Sequence, residues 1–298
     1  MYLKLWLLWL PYTRLELPGW GKLKFIRSFD DNRWSNAPTK LTKGKLHGYW
    51  MKLDLSDWSQ RMTYFLGRYY ELGVQQLLNV LLVPGDRFID IGANIGMITL
   101  HAAHLVTEKG QVDCFEPNPE CVEAIKGNLK LNNIKHVTVY PVGLSDSSGT
   151  LQLNLSSSHT GTATLVKIDN AIETFDVQIV VGDEIISPDS CRIKLIKIDV
   201  EGFELHVLKG LKKTLDNSKP LLITEFVESH FQRAGTSSKE IETFLKGIGY
   251  MPYGIATQRK WMRHSLKLIA LDNLSNTPEI EDIFWMHSEN SVDIGKYL

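Results

Sequence analysis

A short glycine-bearing segment, FIDIGANIG at residues 88–96, most constrains the fold of this chain. An apolar run typical of a buried strand leads into Gly92, Ala93 and Gly96, and apolar residues at helical spacing follow. This order places a ligand at the carboxyl end of the strand, because glycine lets backbone approach closely and the first N–H groups of a helix are free to bind. Asp90 adds a carboxylate, which suits a ligand with ammonium and sulfonium groups better than a pyrophosphate.

The rest of the chain alternates short apolar runs with amphipathic stretches, which is typical of βαβ units and a mainly parallel sheet. Predicted strands cover residues 88–92, 111–117, 137–144, 193–200 and 220–226, with a final pair at 249–255 and 283–287. Predicted helices cover residues 95–106, 119–131, 203–215 and 238–248. Alternating residues between 145 and 190 predict an inserted hairpin. The sequence therefore predicts a doubly wound α/β fold.

Two parts of the chain differ in composition. Residues 1–63 are predicted to form an N-terminal extension or lid, and residues 64–298 the main domain. The apolar start ends at Pro11 after about ten residues, short of the roughly 20 that span a bilayer, so no membrane span is predicted. We expect Trp6, Leu7, Trp9 and Leu10 to pack on the body of the protein, or on a second copy in a homodimer.

The balance of charge limits the partners. With 33 Lys and Arg against 34 Asp and Glu, the chain lacks the basic field that binds nucleic acid, so a small-molecule or sugar-like acceptor is favoured. Cys114, Cys121 and Cys191 form no CxxC pair, which suits a reducing compartment and predicts a cytoplasmic protein. No metal site is predicted.

Two further strand ends carry polar residues suited to a nucleoside. Glu116 ends the second strand of the main sheet, where a carboxylate can accept hydrogen bonds from both ribose hydroxyls. Ser145 and Asp146 follow the next predicted strand, where a short polar side chain could bind the exocyclic amine of adenine, or simply form a turn.

The last two parallel strands end in acidic residues that predict the reactive side of the site. Asp199 and Glu201 follow one strand, and a carboxylate there can orient an acceptor hydroxyl and take its proton. Glu201 could instead cap the next helix. Glu225 ends the following strand and could line the acceptor pocket, and His230 could act as a base because its unperturbed pKa is near neutrality.

Taken together, FIDIGANIG, FEPNP, VGLSD, KIDVEGFELHVLKG and PLLITEF resemble the FkbM-type family of S-adenosylmethionine-dependent methyltransferases, over roughly residues 64–230. The resemblance implies a Rossmann-like class I methyltransferase fold with a seven-stranded sheet whose last strand is antiparallel. It also implies S-adenosyl-L-methionine as cofactor and O-methylation of sugar or polyketide hydroxyls. By the same resemblance, Asp199 and Glu201 face the reaction. The residues that would bind the cofactor are Asp90, Gly92, Asn94, Gly96 and Glu116.

Two other functions compete with methyl transfer. A nicotinamide-dependent oxidoreductase would fit Glu116 and the glycine turn, but the third glycine of the dinucleotide fingerprint and a Tyr-x-x-x-Lys pair are missing. A nucleoside-binding module without catalysis would not need both Asp199 and Glu201.

Overall fold

The computed structural model describes residues 8–28, 32–155, 160–169, 171–186, 192–260, 263–274 and 280–298. A first group of elements precedes residue 67: α1 (Leu10–Arg14), α2 (Lys24–Arg27), β1 (Thr39–Lys43), β2 (Trp50–Asp54) and α3 (Trp58–Leu66). The second group is longer and alternates helices with strands. Its elements are α4 (Leu72–Leu81), β3 (Arg87–Ile91), α5 (Met97–Val106), β4 (Gln111–Phe115), α6 (Pro119–Leu131), β5 (Val137–Tyr140), β6 (Gly143–Ser145), β7 (Gly149–Leu155), β8 (Ala163–Thr164), β9 (Glu173–Val181), α7 (Gly182–Ile185), β10 (Ile193–Ile198), α8 (Glu204–Gly210), α9 (Lys212–Ser218), β11 (Leu221–Glu225), α10 (Glu228–Arg233), α11 (Ser238–Gly247), β12 (Tyr250–Lys260), β13 (Arg263–Ala270) and β14 (Asp282–His287).

An eight-stranded sheet runs through the centre of the molecule in the order β13-β12-β14-β11-β10-β3-β4-β5. Five adjacent strands of this sheet are parallel, namely β11, β10, β3, β4 and β5. Strand β14 is antiparallel to both β11 and β12. The parallel strands are apolar because helices cover both faces. Phe88 joins the leucines of α4 and α5 on one face, and Ile89 joins the leucines of α8 on the other. The predicted doubly wound, Rossmann-like fold is confirmed.

The sheet has one strand more than the seven that the family resemblance implies. The predicted final pair is present as β12 and β14, and β13 is the additional strand. It forms a hairpin with β12, from Tyr253 opposite Ala270 to Lys260 opposite Arg263. Its sequence, RHSLKLIA, alternates polar with apolar residues and includes three basic residues, which is typical of an edge strand with one exposed face.

The strand predicted at 137–144 is divided in the structure. β5 ends at Tyr140, because Pro141 has no N–H to donate to a strand ladder. Residues 143–145 instead join a second sheet, in the order β6-β9-β7-β8. Its antiparallel pair of β7 and β9 is the predicted inserted hairpin. The helix predicted at 203–215 is likewise two helices, α8 and α9, which meet at Leu211.

The N-terminal segment completes one face of the main sheet. Trp34 and Met51 are buried in the same hydrophobic cluster as the leucines of α4 and α5. β2 also contacts α6, because the side-chain oxygen of Asn128 accepts a hydrogen bond from the N–H of Lys52 at 2.9 Å. The division of the chain at residue 63 stays a prediction.

The apolar start of the chain is only partly described. Trp6 and Leu7 lie outside the described residues. Trp9 is 42% exposed and contacts Tyr12 edge to face, whereas Leu10 packs against the core. None of the described helices combines the length and the apolar character that a membrane span requires.

Candidate active site

A cavity opens at the carboxyl ends of β3, β4, β10 and β11. From β3 the chain crosses to β4 on one side of the sheet and later returns to β10 on the other. The loops that follow β3 and β10 therefore diverge, which leaves a crevice at this topological switch point. The predicted site residues Asp90, Gly92, Asn94, Glu116 and Asp199 all line this cavity.

The glycine turn after β3 is shaped by the ends of both neighbouring strands. Gly92 has a φ of +77°, and a Cβ at this position would lie 1.8 Å from the carbonyl oxygen of Asp199. The N–H groups of Gly92 and Ala93 both donate to the carbonyl oxygen of Phe115, at 3.0 and 3.2 Å. Gly96, at φ +79°, precedes α5. The glycine at 92 is therefore required by the packing of three strand ends, and the first two N–H groups of the turn are already bonded.

Glu116 is held in place by the backbone around it. Its Oε2 accepts a hydrogen bond from the N–H of Asn94 at 2.7 Å, and its Oε1 accepts one from the N–H of Asn118 at 2.8 Å. Burial raises the pKa of Glu116 to about 7, although these two N–H groups act in the opposite direction. Each oxygen keeps a lone pair, so the carboxylate can still accept hydrogen bonds from two ligand hydroxyls.

Asp90 is buried behind the turn. Its Oδ2 accepts a hydrogen bond from the hydroxyl of Thr99 at 2.6 Å. Its Oδ1 is buried and has no hydrogen-bond partner among the described residues. Burial raises the pKa of Asp90, and the nearby Lys197 partly offsets the rise. A buried carboxylate oxygen without a partner at the wall of a cavity is a binding group for a cationic or donor ligand.

Lys197 is a residue of the site that the sequence analysis missed. Its Nζ lies 2.6 Å from Oδ2 of Asp199, and its side chain is 4% exposed. Burial alone would lower the pKa of Lys197, but Asp199, Glu71 and Asp90 outweigh it and hold the pKa above its ordinary value. The signal was present in the sequence, because residues two apart on a strand point to the same face.

Glu71, in the loop before α4, was also missed. Burial raises its pKa to about 8, and Lys197 lowers it in part. Its Oε2 is buried without a hydrogen-bond partner among the residues described. Glu71, Tyr69 and Tyr70 line the cavity together, and the two tyrosine hydroxyls are 3.2 Å apart. A polar triplet immediately before an apolar helix was the available sequence signal.

Three of the predicted acceptor-side residues come together. His230 Nδ1 lies 3.1 Å from Oε2 of Glu201 and 3.2 Å from Oε2 of Glu225. Burial raises the pKa of Glu201 to about 9, and Glu225 adds to that rise. Burial likewise raises the pKa of Glu225 well above its ordinary value, with Asp199 contributing. Glu201 and Glu225 line the cavity, and the imidazole contacts both carboxylates.

The helix that follows Glu201 has Phe203 at its N-cap and no side-chain cap, so Glu201 does not take its alternative role as a cap, and Glu204 holds the preceding turn. The Oε1 of Glu204 accepts hydrogen bonds from the N–H groups of Val200 at 3.0 Å and Gly202 at 3.3 Å. The Glu201 side chain faces His230 instead. Glu201 has a φ of +54°, a conformation that is uncommon outside glycine and clusters at functional sites.

Ser145 and Asp146 are not brought to the cavity. The hydroxyl of Ser145 donates to Asp146 at 3.2 Å, and Asp146 contacts Nδ1 of His206 at 3.2 Å. The cavity wall at this position is formed by residues 142–144. The predicted contact of Ser145 and Asp146 with adenine stays a prediction.

Acidic side chains dominate the ionisable groups on the cavity wall. Among the described residues that line it, six are acidic and one, Lys197, is basic. The acidic residues are Glu71, Asp90, Glu116, Asp199, Glu201 and Glu225. The cavity therefore favours a ligand with positive charge and disfavours a polyanion.

The sequence of this chain is similar to those of known methyltransferases. Residues 90–252, more than half of the chain, match the family described as the methyltransferase FkbM domain. The methyltransferase sdnD of Sordaria araneosa is 29% identical over 61% of this chain and 80% of its own length. The hexuronic acid methyltransferase AglP of Haloferax volcanii is 30% identical over 58% of this chain and 68% of its own length. The 2-O-methyltransferase NoeI of Sinorhizobium fredii is 27% identical over 61% of this chain and 81% of its own length.

The match begins at Asp90 and includes the glycine turn, Glu116 and every predicted acceptor-side residue. It names a methyltransferase and so favours methyl transfer over the nicotinamide-dependent alternative. This chain belongs to the FkbM family of methyltransferases.

Proposed function

We propose that this chain transfers the methyl group of S-adenosylmethionine to a hydroxyl oxygen of a saccharide or another small natural-product acceptor. Membership of the methyltransferase family supports the reaction class. The names of two relatives, a hexuronic acid methyltransferase and a 2-O-methyltransferase, support a hydroxylated sugar as the acceptor.

The observation that carries this proposal is the acidic lining of the cavity. S-adenosylmethionine would bring an ammonium and a sulfonium group to a cavity lined by six acidic side chains and one lysine, and this positive charge favours the ionised form of the carboxyl groups. A nicotinamide dinucleotide would instead place its negatively charged pyrophosphate beside these acidic groups, which disfavours their ionised form. The cavity therefore supports the adenosyl cofactor over the dinucleotide.

The cofactor side of the cavity lies along β3 and β4. The turn of Gly92, Asn94 and Gly96 would pack against the methionine part of the cofactor. Asp90 offers the unbonded Oδ1 as a charged acceptor behind that turn. Glu116 would accept hydrogen bonds from the two ribose hydroxyls with the lone pairs that Asn94 and Asn118 leave free.

The acceptor side lies along β10 and β11. There the acceptor hydroxyl would donate a hydrogen bond to Asp199, with Glu201 and Glu225 beside it. The hydroxyl oxygen attacks the methyl carbon while the carbon–sulfur bond breaks, and its electron pair stays on sulfur as neutral S-adenosylhomocysteine. The hydroxyl proton passes to Asp199. The oxygen becomes strongly acidic as the new bond forms, so a carboxylate already paired with Lys197 is basic enough.

His230 is the second candidate for the base. Its Nδ1 is engaged by two carboxylates, and its side chain is absent from the described cavity wall. This arrangement favours Asp199 as the proton acceptor, with His230 fixing the positions of Glu201 and Glu225.

Isothermal titration calorimetry of the full chain tests the cofactor. S-adenosylmethionine and S-adenosylhomocysteine should bind, and NAD should not. Asp90→Ala and Glu116→Ala should each weaken cofactor binding by at least about tenfold, because each removes a charge-assisted contact. Asp216→Asn is the matched control, because this carboxylate is exposed and pairs with Lys212 on the far helix α9.

A screen of hydroxylated sugars with methyl-labelled cofactor then tests the acceptor. Label recovered as a methyl ether would support the proposal. Binding of NAD alone, or of none of these ligands, would overturn it. Binding of the cofactor without methyl transfer to any acceptor would favour the nucleoside-binding module without catalysis.

A further inference from the structure

Glu201, Glu225 and His230 come from three successive elements at the rim of the cavity. Glu201 lies in the turn after β10, Glu225 ends β11, and His230 lies in the short helix α10. One carboxylate oxygen from each glutamate and one imidazole nitrogen all lie within 4.8 Å of one another. These donors belong to separate elements that only the fold brings together, so the sequence predicts no metal site.

The distances in this group match the spacing of ligand atoms around a shared ion. Nδ1 of His230 carries at most one proton, yet it lies 3.1 and 3.2 Å from two carboxylates. Neither carboxylate has another hydrogen-bond donor among the described residues, so at most one of the two contacts is a hydrogen bond from the imidazole N–H. Ligand atoms about 2.1 Å from a metal ion lie roughly 3.0–3.4 Å apart in tetrahedral or octahedral geometry. The two observed distances fall in that range.

The backbone holds the three side chains in position. Gly202 has a φ of +107°, and a Cβ there would lie 2.6 Å from the carbonyl oxygen of His230. The turn that carries Glu201 therefore packs directly against α10. The hydroxyl of Thr164 donates to the carbonyl oxygen of Glu201 at 2.9 Å, which fixes the turn from the other side. Preorganised donors of this kind lower the cost of binding an ion.

A fourth carboxylate adjoins the group. Glu204 is fully buried, and its Oε2 has no hydrogen-bond partner among the described residues. It interacts electrostatically with both Glu201 and Glu225. The three donors therefore lie beside a further acidic group, and its buried oxygen without a partner adds to the attraction for a cation.

We propose that Glu201, Glu225 and His230 bind a divalent transition-metal ion. Carboxylates suit Mg²⁺ and Mn²⁺, whereas imidazole suits Zn²⁺, so the mixed set favours Mn²⁺ or Zn²⁺ over Mg²⁺. Both glutamates line the cavity, so the open coordination positions face it. Binding of the ion is independent of the methyl transfer proposed above. The ion could also contact an acceptor oxygen and orient the acceptor, and this second role rests on the proposed methyl transfer.

Titration of the chelator-treated full chain with Mn²⁺, followed by the electron paramagnetic resonance signal of the free ion, tests the site. We expect one ion per chain in the wild type. Glu201→Gln, Glu225→Gln and His230→Gln should each weaken binding by at least about tenfold. Glu123→Gln should bind as the wild type does, because its carboxylate is 77% exposed on α6 and pairs loosely with Lys126.

Circular dichroism and calorimetry with S-adenosylmethionine on the same samples show whether each variant is folded. Glu201→Gln and Glu225→Gln preserve the shape of the side chain, so at least one folded variant should be available for comparison. Weakened Mn²⁺ binding in folded ligand variants, with the control unchanged, supports the site. Equal Mn²⁺ binding in all variants overturns it, as does a wild type that binds none of Mn²⁺, Zn²⁺ and Mg²⁺. Loss of cofactor binding with intact Mn²⁺ binding would reject the proposed function alone.

Discussion

Lys197 and Asp199 form an ion pair in the wall of the cavity, with Nζ of the lysine 2.6 Å from Oδ2 of the aspartate. The pair lies at the end of β10, where the lysine is buried and the aspartate is 23% exposed. Glu71 and Asp90 also act on Lys197. One ammonium group thus offsets the charge of several carboxylates, so the fold tolerates an acidic cavity because of this lysine.

Replacement of this lysine should destabilise the protein in a pH-dependent way. In the wild type, Lys197 lowers the pKa of Asp90 and of Glu71. Lys197→Met removes this effect. Their pKa values in the folded state should rise further above those in the unfolded chain. A carboxyl with a raised folded pKa costs no stability at low pH and costs more as the pH rises through that pKa. We expect a loss of about 3–5 kcal/mol in the free energy of unfolding at pH 8 and a smaller loss at pH 5.

Denaturant unfolding of wild type and variant at both pH values measures this loss. Lys212→Met is the control, because Lys212 forms an exposed pair with Asp216 and such pairs contribute little. A loss for Lys197→Met that is equal at the two pH values would show that lost packing, and not charge, explains it.

Two glycine substitutions should change stability in opposite directions. In Gly92→Ala the new Cβ would lie 1.8 Å from the carbonyl oxygen of Asp199, and φ is +77°. Backbone must move, so we expect a loss of more than about 3 kcal/mol and weaker binding of S-adenosylmethionine. In Gly127→Ala the Cβ meets nothing within 4 Å on α6, and we expect a gain of about 0.5–1 kcal/mol. Thermal and denaturant unfolding measure the free energy of unfolding of both variants. Equal changes in the two variants would contradict the proposed packing of the strand ends.

The parts of the site that are local in sequence could be predicted. The strand, turn and helix around Gly92 follow from a few consecutive residues, and Glu116 follows from its place at the end of the next strand. The boundaries of α6 also follow from local signals, because Asn118 caps the helix and Pro119 begins it.

The parts that depend on distant contacts could not be predicted. The charge balance of Lys197 depends on Glu71, which lies more than a hundred residues earlier in the chain. The contact of His230 with two glutamates depends on how α10 packs against the turn after β10. Pro141 was visible in the sequence, but only the fold shows that the chain there leaves one sheet and enters another.

Asp199→Asn should lower catalysis while it leaves cofactor binding nearly intact. Asparagine keeps the shape of the side chain but cannot accept the acceptor's proton. We expect turnover with a sugar acceptor from the screen to fall on the order of a hundredfold, with cofactor affinity within a fewfold of the wild type. Initial rates and calorimetry separate the two effects, with Asp216→Asn as the exposed control. Unchanged turnover would remove Asp199 from the proposed chemistry and leave His230 as the candidate base.

Cofactor affinity should depend on pH through Glu116. Burial raises the pKa of Glu116 to about 7, so its ionised fraction should rise from roughly a tenth at pH 6 to roughly nine tenths at pH 8. The ionised carboxylate accepts hydrogen bonds from both ribose hydroxyls better than the neutral form, so affinity should increase with pH by up to about tenfold from this group. Glu116→Gln lacks the titration but keeps the shape. The ratio of wild-type to variant affinity, measured calorimetrically at pH 6, 7 and 8, cancels the titration of the cofactor's own amine. A ratio that stays constant across this range would show that Glu116 does not bind the ribose as a carboxylate.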